Sequence, residues 1–186
     1  MDPEQLDAYL DQVLIGGRER RPVVLAESDP TWAQRFAHER ARIIAALGPS
    51  ARRVEHIGST AVPGLAAKPI VDVLVAVRDP DDDRIVVALQ RAGYVLRVRE
   101  PGHRMLRTPA LDVHVHVWAE ADPEVDRCLR FRDRLRASAE DRSAYEGLKR
   151  ALATRDWADL NEYANAKGPL IEAILARAAT SRLQAR

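Results

Sequence analysis

The sequence predicts an α/β (α+β) fold: a mixed β-sheet flanked by helices, followed by a helical C-terminal region. Three observations predict it. Strand-like and helix-like segments alternate over roughly the first 120 residues. The run "IVDVLVAV" at 70–77 is almost continuously apolar, as a central strand buried on both faces requires. From Pro123 onward the pattern is helical to the end. With 186 residues the chain is long enough to build one sizeable core. No internal repeat or low-complexity segment divides it. The expected organisation is an N-terminal extension over 1–21, one domain over 22–180 and a tail over 181–186.

Residues 3–15 have the spacing of a short amphipathic helix, and "GGRERRP" follows as a linker. "VVLAE" has the composition of a short strand. Asp29-Pro30 starts a helix, with Asp as N-cap and Pro at the first position, where its missing N–H is not needed. Trp32, Phe36, Ile43, Ile44 and Leu47 give that helix its apolar stripe, and Gly48-Pro49 ends it. "RRVEHIG" is the next strand, and residues 59–69 turn the chain back into "IVDVLVAV". "DPDDDRIVVALQRAGY" is an acid-capped helix that stops at Gly93. "YVLRVRE", "HRMLRT" and "LDVHVHVWA" are three further strands, expected to be antiparallel neighbours.

Composition narrows the function classes. Apolar residues at 46% and charged residues at 31% describe a soluble globular protein. A net charge of +1 gives no broad basic field for nucleic acid. No apolar run reaches the roughly 20 residues of a membrane-spanning helix. The N-terminus begins acidic and lacks the basic start and apolar core of a signal peptide. Cys128 is the single cysteine, so an internal disulfide and a cysteine-built zinc site are both excluded. A cytoplasmic protein is expected.

The chemistry concentrates in "EHIGSTAVPGLAAKPIVDVLV" at 55–75. A P-loop is excluded. Gly58 and Gly64 are one residue too far apart, Lys68 is not adjacent to Gly64, and Pro69 stands where Ser or Thr is needed. A strand ending in Gly-Ser turns sharply because Gly58 tolerates positive φ. Ser59 and Thr60 then offer amides and hydroxyls to phosphate oxygens. Asp72 returns on the neighbouring strand, where it would hold a magnesium ion against the same phosphates. The alternative is a plain turn beside a locally paired aspartate.

This arrangement resembles the opening motif of the polymerase-beta-like nucleotidyltransferases: a strand, Gly-Ser, then a D-x-D carboxylate pair. Leu74 stands where the second carboxylate would be. At family level, "VEHIGSTAVPGLAAKPIVDV" is similar to the signature of the GrpB family. "DPTWAQRFAHERARI", "HVHVW", "LRFRDRLRA", "YEGLKRALA" and "NEYANAKGPL" extend the resemblance over roughly residues 23–178. The resemblance implies a nucleotidyltransferase-like fold and a domain related to one fused to some bacterial dephospho-CoA kinases. It also implies a third site group on a later strand, at Asp112 or a histidine, and His116 is the histidine position that the family pattern favours as catalytic.

"LDVHVHVW" alternates, placing Val113, Val115 and Val117 on one face and Asp112, His114 and His116 on the other. Asp72, Asp112 and His114 are therefore candidate metal ligands. A separate reading groups Asp72, His114 and His116 as a two-histidine, one-carboxylate site for iron or zinc. A third leaves the histidines on a solvated face.

Cations supply the remaining candidates. Arg132 lies on the inward stripe between Leu129 and Leu135, and Lys167 lies on the stripe from Trp157 to Ala178, just before the helix-breaking Pro169. With Lys68 and Arg104 they would meet a bound anion. The alternative is structural ion pairing, Arg132 with Asp72 for instance. Lys149 falls beside the Tyr145, Leu148 and Leu152 stripe rather than on it. The expected ligand is a nucleotide or other phosphorylated small molecule with magnesium, and any turnover would be nucleotidyl or phosphoryl transfer. The competing expectation is a catalytically inactive scaffold, for example one that supports enzymes of the CoA pathway.

Overall fold

A computed structural model describes residues 3–20, 22–157 and 159–184. In chain order the elements are α1 (Pro3–Val13), α2 (Thr31–Leu47), β1 (Arg53–Ile57), β2 (Val71–Val77), α3 (Asp83–Arg91), β3 (Val95–Glu100), β4 (His103–Arg107), β5 (Val113–Ala119), α4 (Pro123–Ala137), α5 (Ala139–Ala153), α6 (Leu160–Asn165) and α7 (Gly168–Gln184). The strands form one mixed sheet in the order β1-β2-β5-β4-β3. β2 and β5 run parallel at its centre, and the other neighbours are antiparallel. The predicted fold class is the observed one.

Side-chain alternation gives the sheet two dry faces. Val71, Val73, Val75 and Val77 join Val113, Val115 and Val117 against Trp32, Ile43 and Leu47 of α2 and Ile85, Val86 and Leu89 of α3. On the opposite face Leu74, Ala76 and Trp118 meet Val125 and Leu129 of α4. That second face also carries Asp72, His114 and His116, because each lies two or four residues from one of these core positions along its strand. A third cluster, Val62, Leu65, Leu135, Tyr145 and Ile174, ties the loop after β1 to the C-terminal helices.

Several sequence expectations are corrected. "VVLAE" forms no strand. Only Ala26 bridges Ala67, through hydrogen bonds of 2.8 and 2.9 Å. α2 begins one residue later than expected, although Asp29 still accepts from the Thr31 amide at 2.8 Å. Ile44 is exposed, and the inward position belongs to Glu39, which accepts hydrogen bonds from Tyr94 Oη and Arg42. The segment expected to link the N-terminal helix to the domain is docked: Arg97 donates to the Ile15 and Gly17 carbonyls, and Arg107 pairs with Glu19 at 2.6 Å. The stripe expected from Trp157 to Ala178, broken after Lys167 by Pro169, is carried by two separate helices. Lys167 sits at their junction, and the tail begins inside α7, which continues to Gln184. Among the described residues no helix is long and apolar enough to cross a membrane.

Candidate functional site

The site begins at the end of β1. Ile57 pairs with Asp72 across the β1–β2 ladder, so the chain must turn away at Gly58 directly beside that carboxylate. Gly58 has φ 70° and ψ −172°, a conformation that essentially only glycine adopts. A Cβ there would lie 2.4 Å from Asp72 Oδ2. Gly58→Ala is therefore expected to cost about 1–3 kcal/mol of stability, measurable as a lowered denaturation midpoint. Residues 59–61 follow as a single 3₁₀ turn.

The turn is held from three sides. Arg136 of α4 donates to the Ala61 carbonyl through Nε and Nη2, at 2.9 and 2.7 Å. The Thr60 hydroxyl donates to the Ile70 carbonyl at 3.1 Å, so it accepts from His56 Nε2 at 3.0 Å. Burial keeps His56 neutral by pushing its pKa down to about 4. Its ring stacks on Phe36 at 4.7 Å. Thr60 thus spends its hydroxyl inside the protein. Ser59 turns toward Lys149, whose Nζ donates to Ser59 Oγ at 3.2 Å and to the Ala66 carbonyl.

A cavity of about 200 Å³ opens above the turn. Gly58, Ser59, Thr60, Asp72 and His114 line it together with Lys68, Lys149 and Lys167. The lysines come from the loop before β2, from α5 and from the α6–α7 junction. Lys68 and Lys167 lie over the Tyr163 ring, 5.3 and 4.4 Å from its centroid, and Lys149 lies 5.0 Å from that of Tyr145. Burial and mutual repulsion lower their basicity. Lys149 is brought to about 7 by burial and then by Lys167, and Lys167 to about 8 by burial and then by Lys68. Lys68 is also lowered by burial, against the pull of Asp72.

A lysine whose pKa is lower folded than unfolded gives up protons on folding. Stability should therefore rise as pH climbs from about 7 toward the unfolded lysine value. Chemical denaturation at pH 7 and pH 9 should show that gain in the wild type and a smaller one in Lys149→Met.

Asp72 faces both the turn and β5. Its Oδ1 lies 3.4 Å from His114 Nδ1 and 3.7 Å from His116 Nε2. The parallel register sets this, pairing Asp72 with His114 and Leu74 with His116. Burial alone would raise the Asp72 pKa, but the two imidazoles beside it outweigh burial and hold the carboxyl well below its usual range. Magnesium, expected at Asp72 from the sequence, takes an octahedral shell of oxygens. The groups around Asp72 are imidazoles, and Leu74 is fully buried among apolar side chains. These residues do not fit a magnesium ion held by a carboxylate pair.

Three sequence candidates stand apart from this cluster. Arg104 pairs across β4–β5 with Val117, so it points to the face opposite His116; its guanidinium meets Asp81 at 2.8 Å and the carbonyls of Glu100 and His103. Arg132 does turn inward, but it meets Glu55 at 2.9 Å, Asp133 at 2.8 Å and the His56 carbonyl, not Asp72 or the cavity. Asp112 precedes β5, accepts from the Thr108 hydroxyl at 2.7 Å and pairs with Arg35 of α2. The structure brings together Gly58, Ser59, Thr60, Lys68, Asp72, His114 and Lys167, with His116 behind Asp72.

It also adds Lys149, which is 2% exposed. The signal was present: Asp141, Tyr145, Lys149 and Leu152 recur at i, i+4, i+8 and i+11 and are the buried positions of α5. Taking Leu148 as part of the stripe displaced the inward face by one residue.

Known proteins bear on this geometry. A family model described as "GrpB protein" matches residues 22–177. A UPF0157 protein of Streptomyces coelicolor is 52% identical over 170 residues, covering 91% of each chain. A crystal structure of the conserved protein GrpB from Enterococcus faecalis superposes with a TM-score of 0.74 at 32% identity, covering 86% of this chain and 99% of that one. A dephospho-CoA kinase of Mycolicibacterium paratuberculosis is 31% identical over 183 residues, which span 81% of this chain and only 44% of the kinase.

Proposed function

The chain belongs to the GrpB family, and we propose that it binds a phosphorylated small molecule, such as a nucleotide, with the phosphate end in the lysine-lined cavity. The observation that carries this reading is the convergence of Lys68, Lys149 and Lys167 on one partly enclosed space. Burial lowers the basicity of all three lysines, and through charge repulsion Lys167 lowers that of Lys149 further and Lys68 that of Lys167, so holding them charged without a counter-ion opposes folding. A polyanion placed among them reverses that repulsion. Gly58 and Ser59 line the same cavity, where their turn would offer backbone amides to a phosphate. At about 200 Å³ the cavity is smaller than sites that enclose a whole drug-sized ligand. It suits phosphoryl groups, leaving the rest of the molecule outside.

Nucleotidyl or phosphoryl transfer is the reaction such a pocket would support, through positioning and charge stabilisation. Binding is primary because Leu74 stands where a second carboxylate would be.

A second reading rests on the similarity to part of a dephospho-CoA kinase. The domain would then support a partner enzyme without chemistry of its own. A thermal-shift series with sulfate, pyrophosphate, ADP and dephospho-CoA separates the two. A ligand at 100 times its dissociation constant adds about 2.7 kcal/mol of stability. A rise in Tm with the polyanions is expected; a flat response across the series favours the scaffold.

A further inference from the structure

Behind Asp72 lies a chain of groups that phosphate binding does not use. Glu100 Oε1 meets His103 Nδ1, and His103 Nε2 lies 3.3 Å from His116 Nδ1. His116 Nε2 then faces Asp72 Oδ1 at 3.7 Å. An ionised Glu100 can only accept, so His103 carries its proton on Nδ1. A neutral His103 must then accept through Nε2, so His116 carries its proton on Nδ1. That leaves Nε2 of His116, which faces the Asp72–His114 side, as the nitrogen available to a metal ion. The rings are also fixed in orientation. Trp118 stacks on His103 at 4.6 Å and on His116 at 5.2 Å, within 11° of parallel. The usual outer partner of a metal-bound imidazole is an acceptor that takes its other ring N–H and fixes its orientation; here His103, itself held by the Glu100 carboxylate, stands in that position for His116.

The donor atoms have the right spacing. His114 Nδ1 lies 3.4 Å from Asp72 Oδ1, and all three donor atoms of Asp72, His114 and His116 lie within 4.8 Å of one another. Two ligands each about 2.0–2.2 Å from one tetrahedral ion stand about 3.4 Å apart. Asp72 and His114 also line the cavity, so a fourth coordination position would open toward the lysines. Two imidazoles and one carboxylate suit zinc or ferrous iron rather than magnesium.

We propose that Asp72, His114 and His116 form a site for a divalent transition metal of the zinc class, with His103 and Glu100 as its positioning residues. The ion would sit at the wall of the anion cavity with one position open to a ligand oxygen.

The test is a zinc titration of the full chain, stripped with EDTA, in competition with a chromophoric chelator. One zinc per chain is expected, undisturbed by a large excess of magnesium. Asp72→Asn and His116→Ala should each weaken zinc at least 100-fold. His103→Phe, which keeps the aromatic stack, and Glu100→Gln should retain one site while weakening it about 10- to 100-fold. Wild-type zinc affinity in His116→Ala, displacement by magnesium, or no stoichiometric zinc would overturn the proposal. If His116→Ala does not fold, unchanged affinity in both His103→Phe and Glu100→Gln overturns it instead. Sulfate titration of the zinc-free protein reads the lysine pocket independently, so failure of one site is distinguishable from failure of the other.

Discussion

Asp141→Asn should lower the unfolding free energy by about 3 kcal/mol, toward the low end of what breaking a buried ion pair costs. Asp141 is 2% exposed and stands at the start of α5. Arg134 of α4 reaches it at 2.6 Å, and Arg177 of α7 reaches it at 2.6 and 2.9 Å. One carboxylate thus pins three helices, and those helices place Lys149, Arg136 and Lys167 around the turn. The arginines keep partial exposure and can turn toward water when the charge is removed, which is why the low end of the range applies.

The acid limb follows from the same contacts. Burial would raise the Asp141 pKa, but hydrogen bonds from Arg134 and Arg177 prevail and lower it. Its contribution is present above the unfolded carboxyl value of about 3.9 and is lost as pH falls below that toward the folded value. Urea midpoints at pH 7 and pH 3 should converge between wild type and Asp141→Asn. An equal gap at both values would contradict the assignment.

The second large effect is on binding. Lys149→Met and Lys167→Ala should each weaken a polyanion by about 10- to 150-fold, the equivalent of one charge-assisted hydrogen bond of about 1.5–3 kcal/mol. Protonation adds a pH signature. With Lys149 at about 7 and Lys167 at about 8, the cavity gains positive charge as pH falls through 8 and 7. A bound anion requires those protons, so affinity should fall as pH rises through 7 and 8, by up to about tenfold per unit for each lysine that must be charged. Sulfate is the suitable probe because its own charge is constant over that range. Affinity that is flat from pH 6.5 to 9 would show that these lysines do not meet the anion.

How much of this was legible in the sequence differs by element. β3, β4 and β5 were readable as antiparallel neighbours because short connections favour local pairing. The insertion of β5 beside β2 was not, since a parallel pair 42 residues apart in register, Asp72 with His114, leaves no local trace. That pairing is what makes one cluster of Asp72, His114 and His116. The face that Arg104 takes depends on the β4–β5 register, which no local pattern carries: opposite Val117 it must share the valine face. Arg132 was correctly read as turning inward, but Glu55, its partner on β1, is remote in sequence. The break beside Lys167 is legible in Pro169, but "KGP" at 167–169 separates two helices rather than interrupting one stripe, with the proline in the first turn of the second. Gly58 was read for its turn, but its contact with Asp72 emerges only from the β1–β2 ladder.

The central claim is that the three lysines and the Gly58-Ser59 turn form one anion-binding pocket. Isothermal titration of pyrophosphate into wild type and into a Lys149→Met, Lys167→Ala double variant at pH 7 tests it most directly. The expected result is one site in the wild type and at least 100-fold weaker binding in a folded double variant. Equal affinity in the two proteins, or no binding to the wild type, would contradict it.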